Sequence, residues 1–454
     1  MDFFLRDNWW ESFRSFVPAA FVGGIVLFSA CATEPTTAYR DQLNHLIALQ
    51  EYPAALKDVQ DHKNSDYGPK SVVLYHLDEG TILNNGDQYK ESDQKFADAE
   101  HTMQDLYTKS ILQAGGMLLL NDTTMDYAGE PFERVLLHVF RAMNWIFMGH
   151  PHGAAVEANK AEFFLQQLHD HFGDKLGYKD DAFVRYLDAM LYADIGDYND
   201  ARISLEAAKR AYLWYASYYN TPQPEFQFPK DARKEGDGEL VFIHYNGVSP
   251  IKISKTIQIA WNQAVLAVQE SNDTSQDAQR AKNALVAGFV GNAITVAYPQ
   301  YIQPPYRIVS SEVFVDSKLA GQTLLMEDVS AIAFKNLKNR MDMIMTRAIA
   351  RAAIKYILAH AASQAVAKQF GQGWGLLTQV GSNILAAATE VADTRSWTTL
   401  PSQIRMARIK VPPGVHQVRV DFKDQAGFVV ESHVFSNVRI KKSTRTYLAF
   451  RTAL

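Results

Sequence analysis

Histidines, thiols and paired carboxylates carry most protein chemistry, and in this chain of 454 residues they are scattered. Two His-x-His pairs stand out, His150 with His152 and His169 with His171. The first falls in a turn that opens a predicted helix and the second near that helix's end, about 17 residues on. At about 1.5 Å per residue the pairs lie roughly 25 Å apart, too far to share an ion. No second pair of ligands is evident, so surface histidines are expected. Asp180, Asp181 and Asp197 sit in predicted turns, where helix capping accounts for them. The chain has no His-Glu-x-x-His, no Gly-x-Ser-x-Gly and no Gly-rich phosphate loop with its lysine. The pattern points away from an enzyme, with no catalytic residue, no metal and no cofactor expected.

The remaining reactive group is Cys31, the only cysteine. It closes an apolar run from Val17 to Ala30, shorter than the roughly 20 residues that span a bilayer. That length suits the core of a secretory signal, with small Ser29 and Ala30 before the cut. Phe28-Ser29-Ala30-Cys31 resembles a bacterial lipobox, whose cysteine is acylated and becomes the new N-terminus. Two features depart from the pattern: Phe28 stands where Leu is commoner, and Asp2, Asp7 and Glu11 outnumber Arg6 and Arg14 where a basic excess is usual. A plain signal anchor is the alternative. The resemblance implies a signal peptide over 1–30 and lipidation at Cys31. Ala32 and Thr33 follow, and the absence of Asp from the second position implies sorting to the outer membrane. Several acyl chains anchor stably where one does not. Acylation also consumes the thiol as a nucleophile, and a lone cysteine leaves no intrachain disulfide. A net charge of −5 is no footprint for nucleic acid.

From Tyr39 to about Tyr219 the chain reads as helices with a recurring pattern. Ala189, Tyr192, Gly196, Tyr198, Ala201, Leu205 and Ala208 resemble the spacing of a tetratricopeptide repeat, in which small residues let two antiparallel helices approach. Ala142, Trp145, Gly149, Ala154, Ala158 and Ala161 form a second copy. Weaker copies lie around Leu46, Tyr52, Ala55 and Val59, and around Gly80, Leu83, Tyr89, Phe96 and Ala99. The marker positions Tyr52, Tyr89, Pro151 and Tyr198 are unevenly spaced, so insertions interrupt the array. The clearest insertion is a polar loop with Asn121, Asp122, Asp126, Tyr127, Gly129 and Glu130, followed by Pro131 near a helix start. Loops of this kind carry function disproportionately, which makes Asp126, Tyr127 and Glu130 candidate partner contacts. The aromatic segment with Tyr212, Trp214, Tyr215, Tyr218 and Tyr219 is a second candidate, or else the cap of the helical core.

"YAGEPFERVLLHVFRAMNWIFMG", "AAVEANKAEF" and "ADTRSWTTLPSQIRMARIKVPPG" together resemble a family of uncharacterised bacterial lipoproteins with tetratricopeptide-like repeats. The resemblance covers nearly all of the chain after Cys31. It implies an outer-membrane lipoprotein working beside other small envelope lipoproteins, such as the curli-secretion or penicillin-binding-protein-activator types. It brings no established binding residues with it.

After Tyr219 a Pro- and charge-rich connector leads to strand-like runs, among them "LVFIHYNG", "PIKISKTIQIAW" and "AITVAYPQYI", interrupted by a helical patch over Asn272 to Val290. Three prolines between Pro299 and Pro305 exclude a central strand and predict a rigid aromatic loop with Tyr298, Tyr301 and Tyr306. Met341 to Phe370 predicts a helix, with Arg347, Arg351 and Lys355 on one face. A second helix follows "GQGWG", forming a hairpin that packs on the protein or lies on a lipid surface. From Ile404 onward, apolar and polar residues alternate between turn signals, with Val418, Val420 and Phe422 facing one side.

The expectation is an α+β protein with four parts. These are a signal peptide over 1–30, a tetratricopeptide-like α-solenoid over 37–220, a mixed β region with a helical hairpin over 236–396, and a small C-terminal β-sandwich over 400–454. The expected function is that of a lipid-anchored, periplasm-facing scaffold in the outer membrane. It binds envelope proteins through its groove, without catalysis and without nucleic acid. The alternatives are a peptidoglycan- or polysaccharide-binding lipoprotein and a homo-oligomeric subunit of a secretion or motor-associated assembly.

Overall fold

Three-residue connectors set the pattern of the first half. The computed structural model describes residues 37–114, 125–172, 178–224, 236–270, 276–286, 291, 293–370 and 392–454. Cys31, Asn121, Asp122 and the second helix of the expected hairpin lie outside these. Four helical hairpins are present: α1 (Thr37–Ala48) with α2 (Tyr52–Asp61), α3 (Val72–Asn85) with α4 (Tyr89–Ala114), α5 (Pro131–Phe147) with α6 (Pro151–Phe172), and α7 (Ala182–Asp194) with α8 (Tyr198–Tyr218). The middle connector residue is left-handed each time: Gln50 (φ 58°), Asp87 (φ 60°), Gly149 (φ 80°) and Gly196 (φ 88°). Its N–H donates to the carbonyl three residues back and the next N–H to the one five back, as in Gly196 to Ala193 and Asp197 to Tyr192. This Schellman closure satisfies the last carbonyls of the helix. It repeats at Gln50, Asp87 and Gly149 with the same offsets. Tyr52, Tyr89, Pro151 and Tyr198 are the first residues of the four second helices, so the marker positions read from the sequence fall at one structural point.

Small residues bring the helices together. A Cβ on Gly80 would stand 2.7 Å from the Phe96 ring, and one on Gly153 would stand 2.6 Å from the Trp145 ring. The first helices of the last three hairpins are buried nearly all round; from 131 to 144 only Arg134 of α5 escapes full burial. A helix apolar on every side needs cover beyond its own partner. Strands supply it.

The strands are β1 (Gly238–Asn246), β2 (Ile251–Ile259), β3 (Ile294–Ile302), β4 (Ser310–Val315), β5 (Lys318–Gln322), β6 (Leu324–Asp328), β7 (Gln403–Val411), β8 (Gly414–Lys423), β9 (Val429–Ile440) and β10 (Arg445–Thr452). One sheet runs β10-β1-β7-β6 and another β5-β4-β8-β9. β1 and β10 are parallel, and the other neighbours in both sheets are antiparallel. β1 is buried along its whole length, as a continuous apolar run covered on both faces requires. Val241, Ile243 and Tyr245 on one face share a core with the helices. Leu240 and Phe242 on the other meet Val418, Val420 and Phe422 of the second sheet. A third core joins β2 and β3 to α9 (Trp261–Glu270), α10 (Gln276–Val286) and α11 (Val329–Phe370).

Three expectations change. The segment 400–454 is no separate module, because β7 and β10 pair with β1 and β8 pairs with β4, from the preceding region. Residues 298–302 are not loop but belong to β3, with Pro299 opposite Ser254. A strand paired only with β2 has a free side on which proline's missing N–H costs no ladder bond. The helix predicted from Met341 begins at Val329, and the mixed α+β class itself stands.

Candidate functional site

Glu130 and Glu133 stand at the entry to α5, three residues apart. That is the spacing at which a side chain at the third helical position reaches back to the capping residue, and Glu133 accepts the Glu130 N–H at 2.9 Å. The remainder of the site comes from distant segments. Lys252 on β2 donates from Nζ to Glu130 Oε1 at 2.6 Å and to the Arg395 carbonyl at 3.0 Å. Arg340 and Asn336 on α11 both donate to Glu130 Oε2. Burial works to raise the Glu130 pKa, but the Arg340 and Lys252 charges outweigh it and take it down to about 2. Glu133 goes the other way. Its burial and the neighbouring Glu130 charge push it up to about 7, although the Trp397 N–H and Tyr127 hydroxyl both donate to it.

A strap over residues 393–399 completes the arrangement. Arg395 pairs with Asp393 through Nε at 2.9 Å and donates to the carbonyls of Met125 and Lys70. The Trp397 indole donates to Thr81 and Thr399, and Thr399 donates to Asp78 at 2.7 Å. Burial raises Asp78 to about 6 despite hydrogen bonds from Tyr67 and Thr399. The Trp397 ring lies 5.8 Å from Phe96 and 5.7 Å from Phe140, and Phe140 stacks on Tyr245 at 5.2 Å. The network thus ties α3, α5, β2, α11 and the strap to one another. Glu130, Glu133, Arg395 and Trp397 are all buried. Electrostatically the site is a clamp, and its charged groups are engaged with one another.

This placement decides the candidate contacts. Tyr127 and Glu130 are interior, while Asp126 is exposed. Tyr212, Tyr215 and Tyr219 are also buried and belong to the helical core; Tyr212 donates to the Met326 carbonyl at 3.0 Å. These five side chains are withdrawn from the list of surface contacts, because the strands and the α11 segment cover the face on which the sequence put them. Trp214 and Tyr218 stay partly exposed and stacked, with centroids 5.1 Å apart. Lys179 lies over the Trp214 ring at 5.7 Å and Lys335 over Tyr218 at 4.7 Å.

Three other groupings bear on chemistry. His150 and His152 sit exposed where α6 begins, and His169 lies exposed near its far end, so they share no site. Glu100, His138 and Glu157 bring ligand atoms within 4.8 Å of one another. Arg141 and Lys160 already stand among them, with Arg141 3.2 Å and Lys160 3.1 Å from Glu157. Two cations in place make this an ion-pair network joining α4, α5 and α6. Within β6, Glu327 is wholly buried beside the Asp181 side chain and the Phe183 backbone. Burial, then the Asp181 and Asp328 charges, push its pKa well up, and Asp181 is itself raised to about 6 by burial.

Sequence reasoning could have found Glu133 from its capping spacing. Lys252 and Arg340 gave no local signal, since the carboxylate each pairs with lies more than a hundred residues away. Comparison of the chain with protein-family models, with curated proteins and with solved structures finds no match to any of them.

Proposed function

We propose that the protein is a lipid-anchored scaffold or adaptor of the bacterial envelope. It is held at the outer membrane through acylated Cys31, faces the periplasm, and binds protein partners without transforming a substrate. The observation that carries the reading is the fourfold recurrence of one helical hairpin with the same left-handed turn. Stacked hairpins of this kind suit a tetratricopeptide-like α-solenoid, and the two facing sheets suit a β-sandwich beside it. Such arrays work by presenting an extended surface to another protein. In support, the buried ionisable groups around Glu130 are spent on holding segments together.

The reading departs from the sequence-based one in where the partner binds. The inner helices already carry Trp397 and β1, so partner contacts are assigned to the outer helices and to the Trp214–Tyr218 ledge. Crosslinking in cells, comparing wild type with Cys31→Ala and with a Trp214→Ala, Tyr218→Ala double variant, tests this. One or two envelope proteins should crosslink to wild type and be lost in both variants. Recovery of the same proteins with the double variant would reject the ledge. A second reading follows from the stacked, partly exposed rings, which also suit a sugar face. Retention of the purified protein on peptidoglycan, lost on Trp214→Ala, would favour it, and ring-sized particles on size exclusion would favour an oligomeric subunit.

A further inference from the structure

The side of the molecule where the α5–α6 turn meets the β9–β10 turn holds a cleft of about 460 Å³. Its two walls differ. Ile146, Phe147 and Pro151 make one wall apolar, and the Tyr447 ring adds to it. Gly149, also at the rim, has nothing within 4 Å of where a Cβ would be. The opposite wall carries Arg439 and Lys441, both exposed and neither paired with a carboxylate among the described residues.

The one carboxylate lining the cleft does not offset these two cations. Asp194 is ion-paired with Arg445 and accepts from the Tyr447 hydroxyl at 2.6 Å. Arg445 also holds Glu239 at 2.7 Å, and Glu239 in turn holds Arg408 at 2.6 Å. That alternating chain is balanced within itself. The hydroxyls of Thr444 and Thr446 donate back to the carbonyls of Lys441 and Arg439, which fixes the cation-bearing turn. Net positive charge on one wall and apolar surface on the other select for an amphipathic anion.

We propose that this cleft binds a small ligand consisting of a phosphate or carboxylate head joined to an apolar group. The head lies between Arg439 and Lys441, and the apolar part lies on Ile146, Phe147 and Pro151. The volume lies within the roughly 300–1,000 Å³ range of small-molecule sites. Exposed ion pairs are individually weak, about 0–1 kcal/mol, so affinity requires both walls together. The site shares no residue with the Trp214–Tyr218 ledge, so the cleft and the ledge are tested separately.

The test is calorimetric titration of the purified protein with hexyl phosphate, hexanoate and hexanol at low salt. At least one anion should bind, hexanol should bind at least about tenfold more weakly, and added salt should weaken the anions. Hexyl phosphate tighter than hexanoate identifies a phosphoryl head, and the reverse a carboxylate. Arg439→Glu with Lys441→Glu should abolish binding with the melting temperature unchanged, since both side chains are exposed. Thr444→Trp, which fills the mouth without changing charge, should abolish it too. The proposal is overturned if neither anion binds wild type at millimolar concentration. It is equally overturned if the charge-reversed protein binds as wild type does, or if hexanol binds as well as the anions.

Discussion

Glu130 shows how much one buried charge can hold. It neutralises Lys252 and Arg340, both of which are buried with it. Removing one member of such a set strands the others, typically at about 3–5 kcal/mol. Glu130→Ala should destabilise by that order in chemical denaturation, and Glu130→Gln by nearly as much, because the amide supplies no counter-charge. Replacing all three with Leu or Met should recover most of the loss, since buried ion sets contribute little net stability over apolar packing. If Glu130→Gln were as stable as wild type, the clamp would not be electrostatic. Glu327 gives the opposite sign. Its folded pKa lies above the unfolded one, so the folded state retains a proton that the unfolded state has released. Stability therefore falls by about 1.4 kcal/mol per pH unit as pH rises above the unfolded carboxylate value, until Glu327 ionises. Glu327→Gln removes this slope. Melting curves should coincide below the unfolded carboxylate value and separate as pH rises above it, with the variant the more stable. A gap that stayed constant with pH would mean that Glu327 holds no proton in the folded state.

The helical hairpin was legible because its determinants are local. Small residues, an aromatic or proline at the start of the second helix and a left-handed turn residue all lie within one short window. Gly149 and Gly196 occupy the left-handed position without strain, whereas Gln50 and Asp87 occupy it at a cost of about 1 kcal/mol or more. Gln50→Gly should therefore raise stability by about 0.5–1 kcal/mol, less any contribution from its exposed hydrogen bond to Glu431. Gly196→Ala should lower stability by about 1 kcal/mol through backbone strain alone, since no neighbour stands within 4 Å of the added Cβ. Equal melting temperatures for Gly196→Ala and wild type would remove the turn from the list of determinants. The strands were legible one by one, as the inward set Val418, Val420 and Phe422 shows. Their partners were not. The β1–β10 pairing joins Glu239 to Arg445, and nothing within either segment specifies the other. A boundary drawn at residue 400 from the change of period therefore cuts through both sheets.

At the scale of the molecule the decisive fact is the filled inner face of the helices. A repeat array seen from sequence alone has an open groove, because the residues that fill it come from elsewhere in the chain and carry no repeat signature. Here Trp397 packs on both Phe96 and Phe140 while β1 covers α5, so the helices and the first sheet bury one common core. Two separable domains would melt independently, but a shared core couples them. Wild type should therefore show one calorimetric transition spanning the helices and the first sheet. Trp397→Ala removes a wholly buried indole, its two hydrogen bonds and both ring contacts, at a cost of about 3–5 kcal/mol. Because the side chain lies at the seam, the variant should lose helix and sheet signals together in far-ultraviolet circular dichroism and hydrogen exchange. A variant that lost only the sheet while the hairpins kept their protection would show that the array stands alone. Its inner face would then be a groove holding a removable strap, and the open binding surface expected from the sequence would be restored.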